Sequence, residues 1–289
     1  MYHVCIKPTT FDLIPIQDKQ NPYIDIEKQI NQSSVKKQHN NFEKAFLNSK
    51  LITYTINPIS KNEPVPDIVF IANGGLSLPR LKEPTIILPY MKYSQRRREL
   101  KYLKEIFNDL HIKTIEFPGP SEAPFEGQAE VKWFSNGTKA ICGYGYRSTK
   151  KTFTILHKQL RTIYEKENLI APTFLAVPLE SADYYHLDVA MLEFDDTKCI
   201  VHKRAFSEKS IEKMRKFLGS ENVHVIDTED SFCLNSVIDG ENLITHKITD
   251  QNVKKEIEEI TGRKIKQVST TEFEKSGGSV RCMTLDVHI

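Results

Sequence analysis

The chain has 289 residues, 27% of them charged and 39% hydrophobic, which is enough apolar material for a core and too much for a disordered polymer. Its 40 Lys and Arg nearly balance 38 Asp and Glu, and a net charge of +2 is too small for the footprint of a nucleic-acid or membrane-surface binder. Neither a nucleic-acid nor a membrane partner is expected.

In chain order, the first helical pattern is a weak one, Val35 to Ser49, with Phe42, Phe46 and Leu47 on one face. Asp67 to Ala72 and Thr85 to Leu88 read as strands. An amphipathic helix follows from Ser94 to Leu110, where Leu100, Leu103, Ile106, Phe107 and Leu110 recur at helical steps. After a strand at Lys113 to Phe117, the segments Val131 to Phe134 and Ala140 to Gly143 flank Ser135-Asn136-Gly137-Thr138, an Asn-Gly hairpin signal. A helix is predicted over Lys150 to Leu169. Met191 to Phe194 and Cys199 to His202 form the next hairpin, followed by a helix with Ser207 as its cap and Gly219 as its stop. Val223 to Ile226, the pair Asn235 to Ile238 with Asn242 to Thr245, and a helix over Asp250 to Thr261 complete the series.

The helix starts at Ser94, Lys150 and Ser207 recur every 56 or 57 residues. A period that long, holding a hairpin, a helix and a further strand, predicts repeated supersecondary units. Five such units would occupy the whole of residues 1–289, so one closed, pseudosymmetric α/β domain is expected over two unlike domains.

The five cysteines (Cys5, Cys142, Cys199, Cys233, Cys282) are odd in number and contain no C-x-x-C pair, which argues against a disulfide scaffold or a zinc site. No Walker loop, dinucleotide fingerprint or metal-spacing cluster is present, and no metal or cofactor is expected. No apolar run approaches the ~20 residues of a membrane span, and the first residues lack the pattern of a signal peptide. A cytoplasmic location follows as the expectation.

Each proposed unit carries a polar residue where an apolar strand gives way: Asn73, Glu126, His186 with Asp188, Asn235 and Cys282. Closure around an axis would bring these positions together, and a Cys, a His and carboxylate or amide groups at one cavity make a nucleophilic site. Each feature also has a plain reading. A lone Cys is usually a small buried hydrophobe, and His-x-Asp in a strand suits a structural hydrogen bond. Arg96-Arg97-Arg98, followed by Glu99, reads as a solvated face with one Arg, Arg96, turned inward. Arg147, after Gly143-Tyr-Gly-Tyr, could clamp a substrate carboxylate.

Taken together, Phe70-Ile-Ala-Asn-Gly, Phe125-Glu-Gly-Gln-Ala-Glu, Gly143-Tyr-Gly-Tyr-Arg-Ser, Tyr185-His-Leu-Asp and Gly277-Gly-Ser-Val-Arg-Cys resemble the guanidino-group-modifying superfamily. Its members include dimethylarginine dimethylaminohydrolases, arginine deiminases, arginine dihydrolases and amidinotransferases. The resemblance implies a five-bladed pseudosymmetric α/β propeller of ββαβ units, the pentein fold. It implies Cys282 as nucleophile, His186 as general acid and base, and Glu126 as the carboxylate that holds the guanidinium. Asn73, Asp188, Arg147, Asp67, Asn235, Asn21 and Arg96 become candidate substrate-binding residues. Asn73 stands where dimethylarginine hydrolases usually carry Asp and arginine dihydrolases carry Asn. The opening Cys5-Ile-Lys-Pro-Thr-Thr-Phe-Asp and the pair Asn21-Pro22 are also similar to arginine dihydrolases. Glu130 replaces the more usual Asp.

The implied partner is a small guanidino substrate; a homo-oligomer is compatible with the reading. The implied reaction is hydrolysis of arginine or a methylated arginine through a covalent S-alkylthiouronium. Amidino transfer to an amine is one alternative. A non-catalytic propeller of the ribosome anti-association type is another, and it would have no need of Cys, His and Glu at these phases.

Overall fold

The computed structural model describes residues 1–14, 20–56 and 64–289. The chain opens with β1 (Tyr2–Ile6), α1 (Gln32–Glu43) and β2 (Leu51–Tyr54). A first complete unit follows, made of β3 (Leu76–Ser77), β4 (Thr85–Leu88), α2 (Ser94–Arg97), α3 (Leu100–Asp109) and β5 (Lys113–Glu116). The next comprises β6 (Val131–Phe134), β7 (Lys139–Tyr144), α4 (Lys150–Lys166) and β8 (Thr173–Pro178). Then come α5 (Leu187–Ala190), β9 (Met191–Glu193), β10 (Cys199–His202), α6 (Glu208–Leu218) and β11 (Val223–Ile226). The fourth holds β12 (Val237–Asp239), β13 (Asn242–Thr245), α7 (Gln251–Thr261) and β14 (Lys264–Gln267). After α8 (Thr271–Glu274), β15 (Leu285–Val287) returns to the first strand.

The described strands form five three-stranded sheets. In each, the middle strand pairs antiparallel with one neighbour and, across a helix, parallel with the other, which is a ββαβ unit. Four units are continuous in sequence. The fifth is built from both ends of the chain, with Tyr2 opposite Val287 and His3 opposite Leu51. This arrangement is the predicted five-bladed α/β propeller.

Each helix buries one stripe against its own sheet. Phe153, Leu156, Leu160 and Tyr164 of α4 pack on Val131, Ala140 and Cys142; Leu103, Ile106 and Phe107 of α3 pack on Ile86 and Leu88. Burial of each such side chain stabilises by about 1.5–3 kcal/mol. The hairpin turn forms as its sequence predicts, with Ser135, Asn136 and Gly137 all at positive φ.

Three expectations are corrected. Asp67 to Ala72 is not a strand but two successive 3₁₀ turns, Pro66–Val69 and Ile71–Gly74. A short apolar run buried on every side carries no period, and Pro66 is pre-organised for the first residue of a helical turn. The helix expected over Ser94 to Leu110 breaks after Arg97, because Gln95 and Arg96 turn inward while the apolar stripe begins only at Leu100. The polar residues do not sit at strand ends. They lie on tight turns that lead into the first strand of each unit.

Gly127 shows how closely those turns approach. Its φ is +66°, and a Cβ there would stand 2.6 Å from the Gly75 carbonyl oxygen of the neighbouring unit. The Gln128 amide donates to that same carbonyl over 2.9 Å.

Candidate active site

The turns converge at one end of the propeller axis. Asn73 lies on the turn Ile71–Gly74; Glu126 immediately precedes the 3₁₀ turn Gly127–Glu130; His186 precedes α5, which carries Asp188. Asn235 follows the turn at Phe232, and Cys282 lies in the turn before β15. Backbone bonds stitch neighbours together: the Ala72 amide donates to the Cys282 carbonyl over 3.1 Å.

Glu126 is fully buried and accepts at both oxygens. The Lys92 backbone amide donates to Oε1 (3.0 Å), while Arg147 Nη1 and His186 Nε2 both lie 2.8 Å from Oε2. Burial pushes this carboxyl up, but Arg147 and His186 together prevail and hold it below the ordinary carboxylate range. For His186 the balance falls the other way. Burial lowers its pKa, Arg147 adds to that, and the bond to Glu126 opposes it. Glu130 accepts the Glu126 amide over 3.0 Å, and burial beside Glu126 pushes its own carboxyl well up. Two carboxylates four residues apart are thus driven in opposite directions.

Cys282 forms the second half. Its Sγ lies 3.6 Å from Asp188 Oδ2 and receives the Asn235 Nδ2 donor over 3.2 Å. Burial, then the Asp188 carboxylate, push the thiol well above the ordinary cysteine range. Burial likewise raises Asp188, against His186, Lys132 and Arg281, and its Oδ1 is buried with no hydrogen-bond partner among the described residues.

The third group surrounds Asn73. Arg96 Nη1 donates to Asn73 Oδ1 over 3.0 Å, which fixes the amide so that Nδ2 faces inward, 3.4 Å from His186 Nε2. Arg96 is gripped on its other side by both Glu99 oxygens (2.7 and 2.9 Å) and by the Asp67 carbonyl (3.1 Å). Burial pushes the Glu99 carboxyl up to about 7 despite that guanidinium. Asp67 takes Gln20 Nε2 (3.1 Å) and Ser276 Oγ (2.9 Å), and Asn21 Nδ2 donates to the Ser276 carbonyl (3.1 Å).

One narrow cavity is lined by Cys282, His186, Asn73, Asp67, Arg96, Arg147 and Asn21, with Gln20, Tyr185 and Ser276 beside them. Its free space among the described residues is about 10 Å³, the room of roughly one water. A roomier cavity of about 510 Å³, lined by Tyr23, Asp25, Lys28 and Glu274, has none of the nucleophile chemistry.

Several candidates therefore change place. Arg147, expected as a free carboxylate clamp, is bound to Glu126 and lies between the Tyr93 and Tyr185 rings (5.1 and 4.8 Å). Asn235 and Asp188 contact the Cys282 sulfur and are not among the residues that line the cavity. Arg96, the one Arg expected to turn inward, is 3% exposed, but Glu99, expected on a solvated face, is 2% exposed and buried with it. Their spacing of three residues was the available signal, since it lets the pair bond on the inner side of a turn as readily as the outer. Gln20 and Ser276 had no signal beyond their neighbours Asn21 and Gly277.

Known proteins give the same frame. The bifunctional arginine dihydrolase/ornithine cyclodeaminase ArgZ of Synechocystis sp. is 27% identical over 224 residues, which is 77% of this chain and 29% of that protein. This chain thus spans less than a third of the length of that relative. The N(G),N(G)-dimethylarginine dimethylaminohydrolase of Mycobacterium tuberculosis is 23% identical over 270 residues, 93% of this chain and 80% of its own length. The N-terminal domain of ArgZ, solved as an asparagine-to-serine variant covalently bound to a reaction intermediate, matches with a TM-score of 0.79 at 22% identity, covering 98% of this chain and 96% of that one. The shared architecture is the pentein propeller. The sequence profile of the N,N dimethylarginine dimethylhydrolase family, eukaryotic, matches residues 8–289, and the chain belongs to that family.

Proposed function

We propose that the chain is a cysteine hydrolase of guanidino C–N bonds that converts free arginine to ornithine, ammonia and carbon dioxide. The observation that supports it most is the Cys282 thiol and His186, itself bonded to Glu126, on one buried cavity beside an Asn73 amide whose oxygen Arg96 already occupies.

A guanidinium carbon is a poor electrophile, so the site must desolvate the cation and offer a soft nucleophile. Cys282 is held as a thiol by burial and Asp188; a bound cation beside it offsets both and favours the thiolate. The thiol proton passes to His186 and sulfur attacks the guanidinium carbon. His186 returns the proton to the departing nitrogen, ammonia leaves, and an S-alkylthiouronium remains. His186, neutral again, takes a proton from water, and the hydroxide adds to the same carbon. Collapse expels the thiolate and releases citrulline.

The second round depends on Asn73. With Oδ1 committed to Arg96, the group facing the cavity is the Nδ2 donor. A donor suits the ureido oxygen of citrulline, which a carboxylate would repel. Repetition of attack expels the second ammonia and leaves an S-alkylthiocarbamate. Water then yields the N-carboxy derivative of ornithine, which loses carbon dioxide.

Family membership favours a second reading, in which asymmetric dimethylarginine gives citrulline and dimethylamine. Incubation with arginine, citrulline and dimethylarginines, scored by mass spectrometry, separates the two. Ornithine and ammonia from arginine are expected, with turnover abolished by Cys282→Ala and label trapped on the Cys282 peptide after acid quench. Dimethylamine release with no consumption of arginine would establish the second reading instead. Full activity of Cys282→Ser would remove the cysteine mechanism altogether.

A further inference from the structure

Asn235 is fully buried and touches three units of the propeller at once. Its Oδ1 accepts two consecutive backbone amides of the nucleophile turn, Arg281 N at 2.9 Å and Cys282 N at 3.3 Å. Its Nδ2 donates to the Asp188 carbonyl over 3.0 Å and to Cys282 Sγ over 3.2 Å. These bonds remove the usual ambiguity between amide oxygen and nitrogen. Two N–H donors demand the oxygen on one side, and a carbonyl demands the nitrogen on the other. The group that faces the sulfur is therefore a donor that cannot turn away.

We infer that Asn235 is a positioning residue that holds the nucleophile turn in register and supplies a fixed hydrogen-bond donor to the Cys282 thiolate, rather than a group that binds substrate. Cys282 lines the cavity and Asn235 is not among the residues that line it. An anion of sulfur gains more from such a donor than a neutral thiol does, so the donor favours ionisation. It works against what else surrounds the thiol. Asp188 Oδ2 stands 3.6 Å away, and Tyr185 and Tyr23 are the phenols nearby. On the cavity side lie His186, Arg147, Arg96 and Asp67. The neighbouring Arg281 directs its guanidinium away, onto Asp286 and Glu193. The Ser279 backbone is a second neutral hydrogen-bond partner of the thiol; Asn235 is the side chain that donates to the sulfur, and its effect needs no substrate.

The consequence for catalysis rests on the cysteine-hydrolase reading, but the test does not. Iodoacetamide alkylation of the Cys282 peptide, followed by mass spectrometry across pH in the substrate-free protein, reads the thiol directly. Asn235→Asp keeps an oxygen for the two backbone amides and replaces the donor by an acceptor. Asn235→Ala removes both. The midpoint of alkylation is expected to move up by about one pH unit in the alanine variant and further in the aspartate variant, which makes reaction near neutral pH about tenfold slower or more.

A purely structural role predicts the opposite sign, since a loosened turn exposes the thiol, relieves burial and lowers the midpoint. A fall, or no change in a variant that melts like the parent, overturns the assignment. Failure of both variants to fold also overturns it, by making Asn235 a scaffold residue. A shifted midpoint in a protein that turns over no guanidino compound would leave the inference standing and remove the proposed function.

Discussion

At the scale of single residues, the motifs around Glu126, His186 and Cys282 carry most of what the sequence could tell, because their chemistry is written in residue type and order. Orientation is not. Asn73 could be placed at the site from its motif, but only the bond from Arg96 decides that its nitrogen faces inward. That orientation makes a prediction. Asn73 Nδ2 also donates to the Glu126 carbonyl over 3.5 Å, so Asn73→Asp would set an oxygen against that carbonyl and a carboxylate toward the ureido oxygen of citrulline. Loss of one hydrogen bond and gain of a like-charge contact cost about 1–3 kcal/mol, or roughly ten- to a hundredfold in turnover. Hydrolysis of citrulline should fall by that factor while hydrolysis of arginine falls less, so that citrulline accumulates in a time course. Equal loss on both substrates would show that Asn73 only shapes the cavity. The inward turn of Arg96 was partly anticipated, but Glu99 was misread as a mark of solvent. Composition does not distinguish a buried pair from an exposed one when both are two charges three residues apart.

Several elements were legible nearly to the residue: β4 and β11 match their predicted spans, and the amphipathic helices α4, α6 and α7 match at their starts or within one residue. The segments that carry the site were not, because a tight turn of four buried residues has no period to read. What fixes those turns is close approach between units, and Gly127 tests this. An alanine there must adopt φ near +66° and also push against the Gly75 backbone. Gly262, at φ +64° with nothing within 4 Å of its Cβ position, is the matching control. The control should lose about 1–2 kcal/mol in urea unfolding, from backbone strain alone. Gly127→Ala should lose clearly more and should lower activity further still, since Glu126 is its neighbour. Equal losses at the two positions would mean that the turn has room to shift.

At the scale of the whole molecule, the 56-residue recurrence announced five repeated units, but not that the fifth is assembled from both ends of the chain. Its inner strands lie at opposite ends of the chain, Tyr2–Ile6 against Leu285–Val287, and no local pattern links residues so far apart. The ring is therefore closed by a pairing between distant segments, and His246 ties the fourth unit to the helix that leads into the closing one. It follows β13 in the fourth unit and lies between Asp230 (2.9 Å from Nε2) and Glu274 (3.3 Å from Nδ1), the latter on the helix that precedes the nucleophile turn. Burial lowers the His246 pKa, but the two carboxylates outweigh it and raise it to about 9. A histidine whose folded pKa lies above its unfolded value contributes stability that is fully present below about pH 6.5 and is lost as pH rises through about 9. The contribution is at most about 3 kcal/mol, reduced by the 18% and 23% exposure of the two acids. Urea melts of the native protein should thus lose stability between pH 6.5 and 9, and His246→Gln should flatten that limb while it lowers stability at pH 6. The same slope in the variant as in the parent would assign the alkaline loss to other groups and leave His246 without a part in holding the helix before the nucleophile turn.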